Sequence, residues 1–187
     1  MGSDKKLRAV FLDRDGTINR DPGYLSDPTA LELLPGVLEA LSQLQKAGFL
    51  LVVVSNQSGI GRGLITPEQL KKIHERLDQL LSPAQVQITA YQLCFHRPEE
   101  NCPCRKPKPF LIDDAARRFS IDVTSSFMVG DKFSDIECAK NAGCQGAILV
   151  RTGEGENEAK KCTIPPDYIA NDLKAASDWI LSQLEFS

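Results

Sequence analysis

The chain has 187 residues, with 22 basic and 25 acidic side chains, a net charge of −3, 42% hydrophobic and 25% charged residues, the make-up of an ordinary globular protein. That balance excludes a broad basic nucleic-acid surface, and no apolar run approaches the roughly 18–20 residues of a membrane span. A chain of this length buries roughly two-thirds of its unfolded surface, so one domain over residues 1–187 is expected to fold without disulfide staples.

The start, Met1-Gly2-Ser3-Asp4-Lys5-Lys6, lacks the Ser or Thr that a myristoylation signal carries at its sixth position. No secretory leader is visible, so a cytoplasmic protein is expected. In chain order, Arg8–Leu12 is a short apolar run that stops at Asp13 and reads as a buried strand. Gly36–Ala47 has apolar residues at helical spacing (Val37, Leu38, Leu41, Leu44, Ala47), with Gly48 as terminator. Phe49–Val54 is a Val-rich run suited to a strand buried on both faces. Thr66-Pro67-Glu68-Gln69 predicts a helix start, with Thr66 as N-cap, Pro67 at N1 and Gln69 closing a capping box. That helix should run to about Leu81, and His74 within it is expected at the surface.

Ile88–Leu93 predicts a third strand. Cys94–Pro109 holds Pro98, Pro103, Pro107 and Pro109, which together exclude a helix or a central strand. A helix over Phe110–Phe119, a strand over Ser126–Val129 and a helix over Ser134–Ala142, capped by Ser134 and stopped by Gly143, follow. Ala147–Val150 is a fifth strand, Thr152–Pro166 a polar loop, Tyr168-Ile169 an edge strand and Leu173–Leu184 a last amphipathic helix. Strands alternating with helices predict an α/β fold: a Rossmann-like parallel sheet with helices on both faces. In such sheets ligands bind beyond the carboxyl ends of the strands.

The unusual polar residues fall at those ends. Asp13-Arg14-Asp15-Gly16-Thr17 follows the first strand, Ser55-Asn56-Gln57-Ser58-Gly59 the second, and Gly130-Asp131-Lys132 with Asp135 the fourth. The loop after the third strand ends in Arg105-Lys106. Carboxylates converging with a hydroxyl and several cations suit phosphoryl transfer. Carboxylates hold Mg²⁺ through hard oxygens, one can attack phosphorus as a nucleophile, and one can move a proton. A cation must offset their repulsion of the phosphate.

Asp13-x-Asp15-Gly16-Thr17, Ser55, Lys106 and Gly130-Asp131-x-x-x-Asp135 resemble the four motifs of the haloacid dehalogenase-like (HAD-like) phosphohydrolases, and the match covers most of the chain. The resemblance implies Asp13 as nucleophile and Asp15 as general acid/base. It implies Ser55 and Lys106 as phosphoryl stabilisers, with Mg²⁺ held by Asp13, the Asp15 carbonyl and Asp131. Within that superfamily, Asp21-Pro22-Gly23-Tyr24, Gly59-Ile60-Gly61-Arg62-Gly63 and Cys102-Pro103-Cys104-Arg105-Lys106-Pro107 resemble the heptose-bisphosphate phosphatase family, with the histidinol-phosphatase family a near relative. That implies a small sugar bisphosphate as substrate. It implies substrate contacts from Asp21, Pro22, Gly23, Tyr24, Ser55, Asn56, Gln57, Ser58, Arg105, Lys106 and Lys132. Where the heptose enzymes often carry Thr, this chain has Ser55, which keeps the hydroxyl. No separate cap domain, no nucleic-acid or membrane partner and a monomer are expected.

Cys94-x-His96-x5-Cys102-x-Cys104 offers three thiolates and one imidazole, a set suited to tetrahedral Zn²⁺ with no open position, hence structural. Iron also accepts thiolate-rich sites, and the plain alternative is buried thiols beside a surface histidine. Such a metal would fix the backbone that presents Arg105 and Lys106, and with Arg97 and Lys108 the loop could also serve a binding module. Cys138, Cys144 and Cys162 read as inert small hydrophobes. The Gly59–Gly63 stretch reads as a turn or a substrate lid, and Asp135 as a metal ligand or as a carboxylate that supports one.

Overall fold

The computed structural model describes residues 7–161 and 163–184; the expectations for Met1–Lys6 and Cys162 lie outside the described residues. Six parallel strands form one sheet: β1 (Ala9–Leu12), β2 (Leu50–Asn56), β3 (Ala90–Cys94), β4 (Phe127–Gly130), β5 (Gly146–Val150) and β6 (Tyr168–Ala170), in the spatial order β3-β2-β1-β4-β5-β6. Among the described residues, seven α-helices connect and cover them: α1 (Val37–Lys46), α2 (Ser58–Gly61), α3 (Pro67–Leu81), α4 (Phe110–Phe119), α5 (Phe133–Ala142), α6 (Gly155–Glu158) and α7 (Leu173–Ser182).

Alternation along the strands sorts the core into two layers. Val10, Leu12, Val53, Val129 and Ile148 pack with Leu41 of α1, Ile73 and Leu77 of α3 and Ile180 of α7. Phe11, Val52, Val54, Met128 and Leu149 face the other way, onto Ile112 of α4 and Ile136 and Cys138 of α5. Both faces of the four inner strands β1, β2, β4 and β5 are thus largely apolar, which is why they read as continuous hydrophobic runs. Cys138 is fully buried in the second layer, and Cys144 packs against its edge. No helix among the described residues is long and apolar enough to cross a membrane.

The predicted elements recur within one or two residues, with three instructive differences. The polar loop after β5 contains the one-turn helix α6. The Gly59–Gly63 stretch begins as the one-turn helix α2, where a Cβ at Gly61 would strike the Phe95 carbonyl. Helix α5 starts at Phe133, so Ser134 is not its cap. The capping bond comes from inside the helix: the Asp135 carboxylate accepts the Lys132 N–H at 3.0 Å. Thr66 and Gln69 do form the expected reciprocal capping box at the start of α3.

Candidate active site and metal loop

The reversal of connection direction on either side of β1 opens a crevice at the carboxyl end of the sheet, where α/β ligands bind. A cavity of about 380 Å³ lies there, lined among others by Asp13, Asp15, Ser55, Lys106 and Lys132. That is small-molecule size. It gathers residues from the ends of β1, β2 and β4 and from the loop after β3.

Asp13 directly follows β1, and its N–H donates to Val129 O at 2.9 Å, so the sheet ladder itself fixes the backbone. The turn behind it closes on one acceptor, with the N–H groups of Thr17, Ile18 and Asn19 all reaching Arg14 O. Gly16 sits at φ 84°, and a Cβ there would strike the Asp131 carboxylate. Only glycine gives both the left-handed backbone and the close approach.

Lys106 is the electrostatic centre. Its side chain is 3% exposed; Nζ donates to Asp13 Oδ1 at 2.8 Å and to Val54 O at 2.7 Å, and lies 2.6 Å from Asp135 Oδ1. Two of these contacts are hydrogen bonds, and the contact with Asp135 is an ion pair. Burial opposes the charge on Lys106, but Asp13 and Asp135 outweigh it and raise its pKa. Burial likewise opposes the charge on Asp13, yet Lys106 and Lys132 hold its carboxyl below the ordinary value. Burial pushes Asp131 up to about 8, and the neighbouring Asp13 and Asp135 carboxylates add to the shift.

One oxygen from each of Asp13, Asp131 and Asp135 lies within 4.8 Å of the others. Asp131 Oδ2 accepts the Glu154 N–H at 2.9 Å, while its buried Oδ1 has no hydrogen-bond partner. Crowded buried carboxylates with an orphaned oxygen fit a hard divalent cation. Asp135 Oδ1 likewise makes no hydrogen bond but is ion-paired with Lys106, and its Oδ2 accepts the Lys132 N–H.

Asp15 is held apart from this cluster by its own frame. Arg14 donates through Nε to Oδ1 at 3.0 Å and through Nη2 to Oδ1 at 2.8 Å and Oδ2 at 2.7 Å. Asn19 Nδ2 donates to Oδ1, and Gln57 Nε2 to Oδ2, each at 2.9 Å. Gln57 Nε2 also reaches Ser55 Oγ at 2.9 Å. Sequence reasoning missed Arg14 and Asn19: a cation between two aspartates looks like a solvated charge, yet Arg14 is only 1% exposed. It also placed His74 at the surface. The ring is instead half-buried, stacked on Tyr91 at 4.1 Å between centroids, with Nε2 3.4 Å from Arg14 Nη1. Burial, then the Arg14 charge, lowers its pKa to about 4.

Asp21, Gly23, Tyr24, Asn56, Ser58 and Arg105 also line the cavity, as does Ser134, which the sequence reading had assigned to capping. Pro22 instead lines an adjoining hollow with Arg20 and Glu154. The Asn56 amide faces the loop: Nδ2 donates to Lys106 O at 3.2 Å, and Oδ1 accepts the Lys106 N–H at 3.0 Å. Lys132 Nζ lies 3.4 Å from Asp21 Oδ2 across the mouth.

Beside this site stands the cysteine loop. The sulfur separations are 3.5 Å for Cys94–Cys102, 3.6 Å for Cys102–Cys104 and 3.0 Å for Cys94–Cys104, with His96 Nδ1 3.7 Å from Cys94 Sγ and 3.3 Å from Cys104 Sγ. Zn–S bonds of about 2.3 Å in a tetrahedron place sulfurs about 3.8 Å apart. Two of the three sulfur separations come close to that value and the Cys94–Cys104 one is shorter; the four donor atoms lie within 4.8 Å of one another, near enough to share one ion. Burial and the neighbouring thiols raise the pKa of Cys94, whereas hydrogen bonds from Cys94 and Cys104 overcome burial and lower Cys102 to about 7.

Comparison with known proteins gives consistent relatives. Residues 103–176 match the HAD-hydrolase-like family. A D-glycero-β-D-manno-heptose-1,7-bisphosphate 7-phosphatase of Photorhabdus laumondii is 44% identical, over 81% of this chain and 84% of its own length. The Salmonella typhi enzyme of the same name is 37% identical, over 96% and 93%. Among solved structures, the D,D-heptose 1,7-bisphosphate phosphatase of B. bronchiseptica, complexed with magnesium and phosphate, superposes with a TM-score of 0.89 at 34% identity, covering 95% of this chain and 99% of that one.

Proposed function

The chain belongs to the heptose-1,7-bisphosphate 7-phosphatase family of HAD-like hydrolases, and from that premise we propose that it removes the 7-phosphate of D-glycero-β-D-manno-heptose 1,7-bisphosphate, as a single-domain monomer. The observation that carries this reading is the buried Asp13–Lys106–Asp135 cluster opening onto a small polar cavity. In this reading an Asp13 oxygen attacks phosphorus, and the bond from phosphorus to the sugar oxygen breaks. Asp15 gives that leaving oxygen its proton. Asp15 then takes a proton from water, the resulting hydroxide displaces Asp13 from phosphorus, and inorganic phosphate leaves.

Lys106 and the Ser55 hydroxyl face the transferred oxygens, and Arg105 and Lys132 supply positive charge at the mouth for an anionic substrate. Mg²⁺ held by Asp13, Asp131 and the Asp15 carbonyl would offset the charge that gathers during transfer. Asp135, with both oxygens occupied, holds Lys106 and the start of α5 rather than the metal. Zn²⁺ on Cys94, His96, Cys102 and Cys104 would fix the loop that presents Arg105 and Lys106. The magnesium and phosphate of the B. bronchiseptica relative support this reading.

The test is phosphate release, with Mg²⁺, from the α and β heptose bisphosphates and from histidinol phosphate side by side, together with Asp13→Asn. The β heptose should be preferred and D13N should be inactive yet folded. Faster turnover of histidinol phosphate would overturn the substrate, and an active D13N would overturn the mechanism.

A further inference from the structure

We infer that His74 is a positioning residue for Asp15, acting through Arg14. The inference rests on the reading above, in which Asp15 moves the proton. Arg14 carries five N–H donors and no acceptor, and its guanidinium is shut off from water. Nε and Nη2 are occupied by Asp15, with Nη2 also 3.4 Å from Gln57 Oε1. Nη1 turns the other way, to His74 Nε2. Because arginine only donates, Nε2 must accept, which puts the imidazole proton on Nδ1 and leaves the ring neutral.

The ring cannot swing freely. It lies within 13° of parallel on Tyr91, whose hydroxyl donates to Asp78 Oδ1 at 2.6 Å. Asp78 lies one turn after His74 on α3, so one helix holds Tyr91 through both residues, and His74 reaches on to Arg14. The charged and titratable groups around the imidazole are Arg14, Asp15, Tyr91 and Asp78. His74 does not line the catalytic cavity. Its effect therefore passes through the guanidinium: an acceptor on one side of Arg14 sets the plane in which the other side grips Asp15. A buried donor left without an acceptor would turn toward another partner and carry the Asp15 carboxylate with it.

The experiment uses two variants. His74→Phe keeps a ring on Tyr91 and removes the acceptor; His74→Gln restores an acceptor oxygen. Steady-state phosphate release from heptose 1,7-bisphosphate should show kcat lowered about ten- to a hundredfold in H74F, the cost of a misplaced catalytic group, with KM held within about twofold. H74Q should return to within about threefold of the parent. An unchanged kcat in H74F, a rise in KM alone, or equal loss in both variants would overturn the inference. If D13N is inactive while H74F is fully active, only this inference fails; an active D13N sinks the underlying reading instead. A measurement on the unaltered protein removes dependence on variant folding. The chain has 2 histidines, so ¹⁵N-histidine NMR can resolve His74, which should be the neutral Nδ1–H tautomer at pH 7. An Nε2–H tautomer or an imidazolium there would refute it.

Discussion

The carboxylate cluster and the cysteine loop hold their side chains in opposite ways. Asp13, Ser55 and Asp131 sit on or directly after strands of a sheet buried on both faces, and backbone ladders place them before any side-chain interaction is counted. The cysteine loop has Cys94 at a strand end, but His96, Cys102 and Cys104 lie in a Pro-rich segment whose only regular piece is the 3-10 turn Pro98–Glu100. The two regions meet at Lys106, delivered by the loop to the strand ends. A charge on an irregular loop is thus placed by the sheet site it enters, by Asn56 and, in our reading, by zinc.

That comparison can be broken in graded steps. Lys106→Met should have the largest effect. It leaves Asp13 and Asp135 buried without their cation, a loss of about 3–5 kcal/mol when one partner of a buried pair is removed. Phosphate release should fall about a thousandfold or more, and urea titration should show the stability loss. A Lys106→Met protein that is active and equally stable would separate the loop from the chemistry.

Cys102→Ser should come next. Metal analysis should find one zinc in the parent chain and less in the variant, with a lower Tm and kcat reduced about tenfold or more through the misplaced Lys106. Zinc-free parent protein of full activity would refute a metal role for the loop.

Asn56→Ala removes both hydrogen bonds to the Lys106 backbone, about 1–3 kcal/mol in all at 0.5–1.5 kcal/mol each. We expect kcat to fall severalfold with little change in KM. A KM effect alone would mean that Asn56 serves the substrate rather than the loop.

The last test concerns pH. His74 is lowered from 6.5 to about 4 in the folded protein, so between these values the unfolded chain binds more protons and stability rises with pH. Its contribution is fully present above about 6.5 and is lost as pH falls through 4. Thermal melting across this window should show a steeper acid loss for the parent than for H74Q; parallel curves would contradict a half-buried neutral imidazole.

Elements were legible where one period dominated. The Val-rich run of β2 and the Thr66–Gln69 box of α3 each carry a local signal that the tertiary structure only completes. The chemistry-bearing residues at strand ends were legible for a related reason: acids and hydroxyls that interrupt apolar runs at the same side of a parallel sheet must share a crevice. Arg14, Asn19 and His74 were not legible. Their importance lies in partners 1, 4 and 60 residues apart in the chain, and neither periodicity nor composition reports a pairing. The start of α5 was misread because Ser134 is a good capping residue in isolation, whereas Asp135, drawn inward by Lys106, supplies the bond.

By itself, then, the sequence determined the parallel α/β architecture, the crevice at the strand ends and the set of candidate metal donors in the cysteine loop. These follow from hydrophobic period, from turn chemistry and from donor type, all of which act over a few residues. Only the tertiary structure decided which charges are paired and which oxygen is left over. It put Lys106 between two aspartates, Asp131 Oδ1 without a partner and a histidine behind the arginine that grips Asp15. The strength of a charge interaction depends on burial and on ångström-scale distance, and both are set only when segments far apart in the chain have packed together.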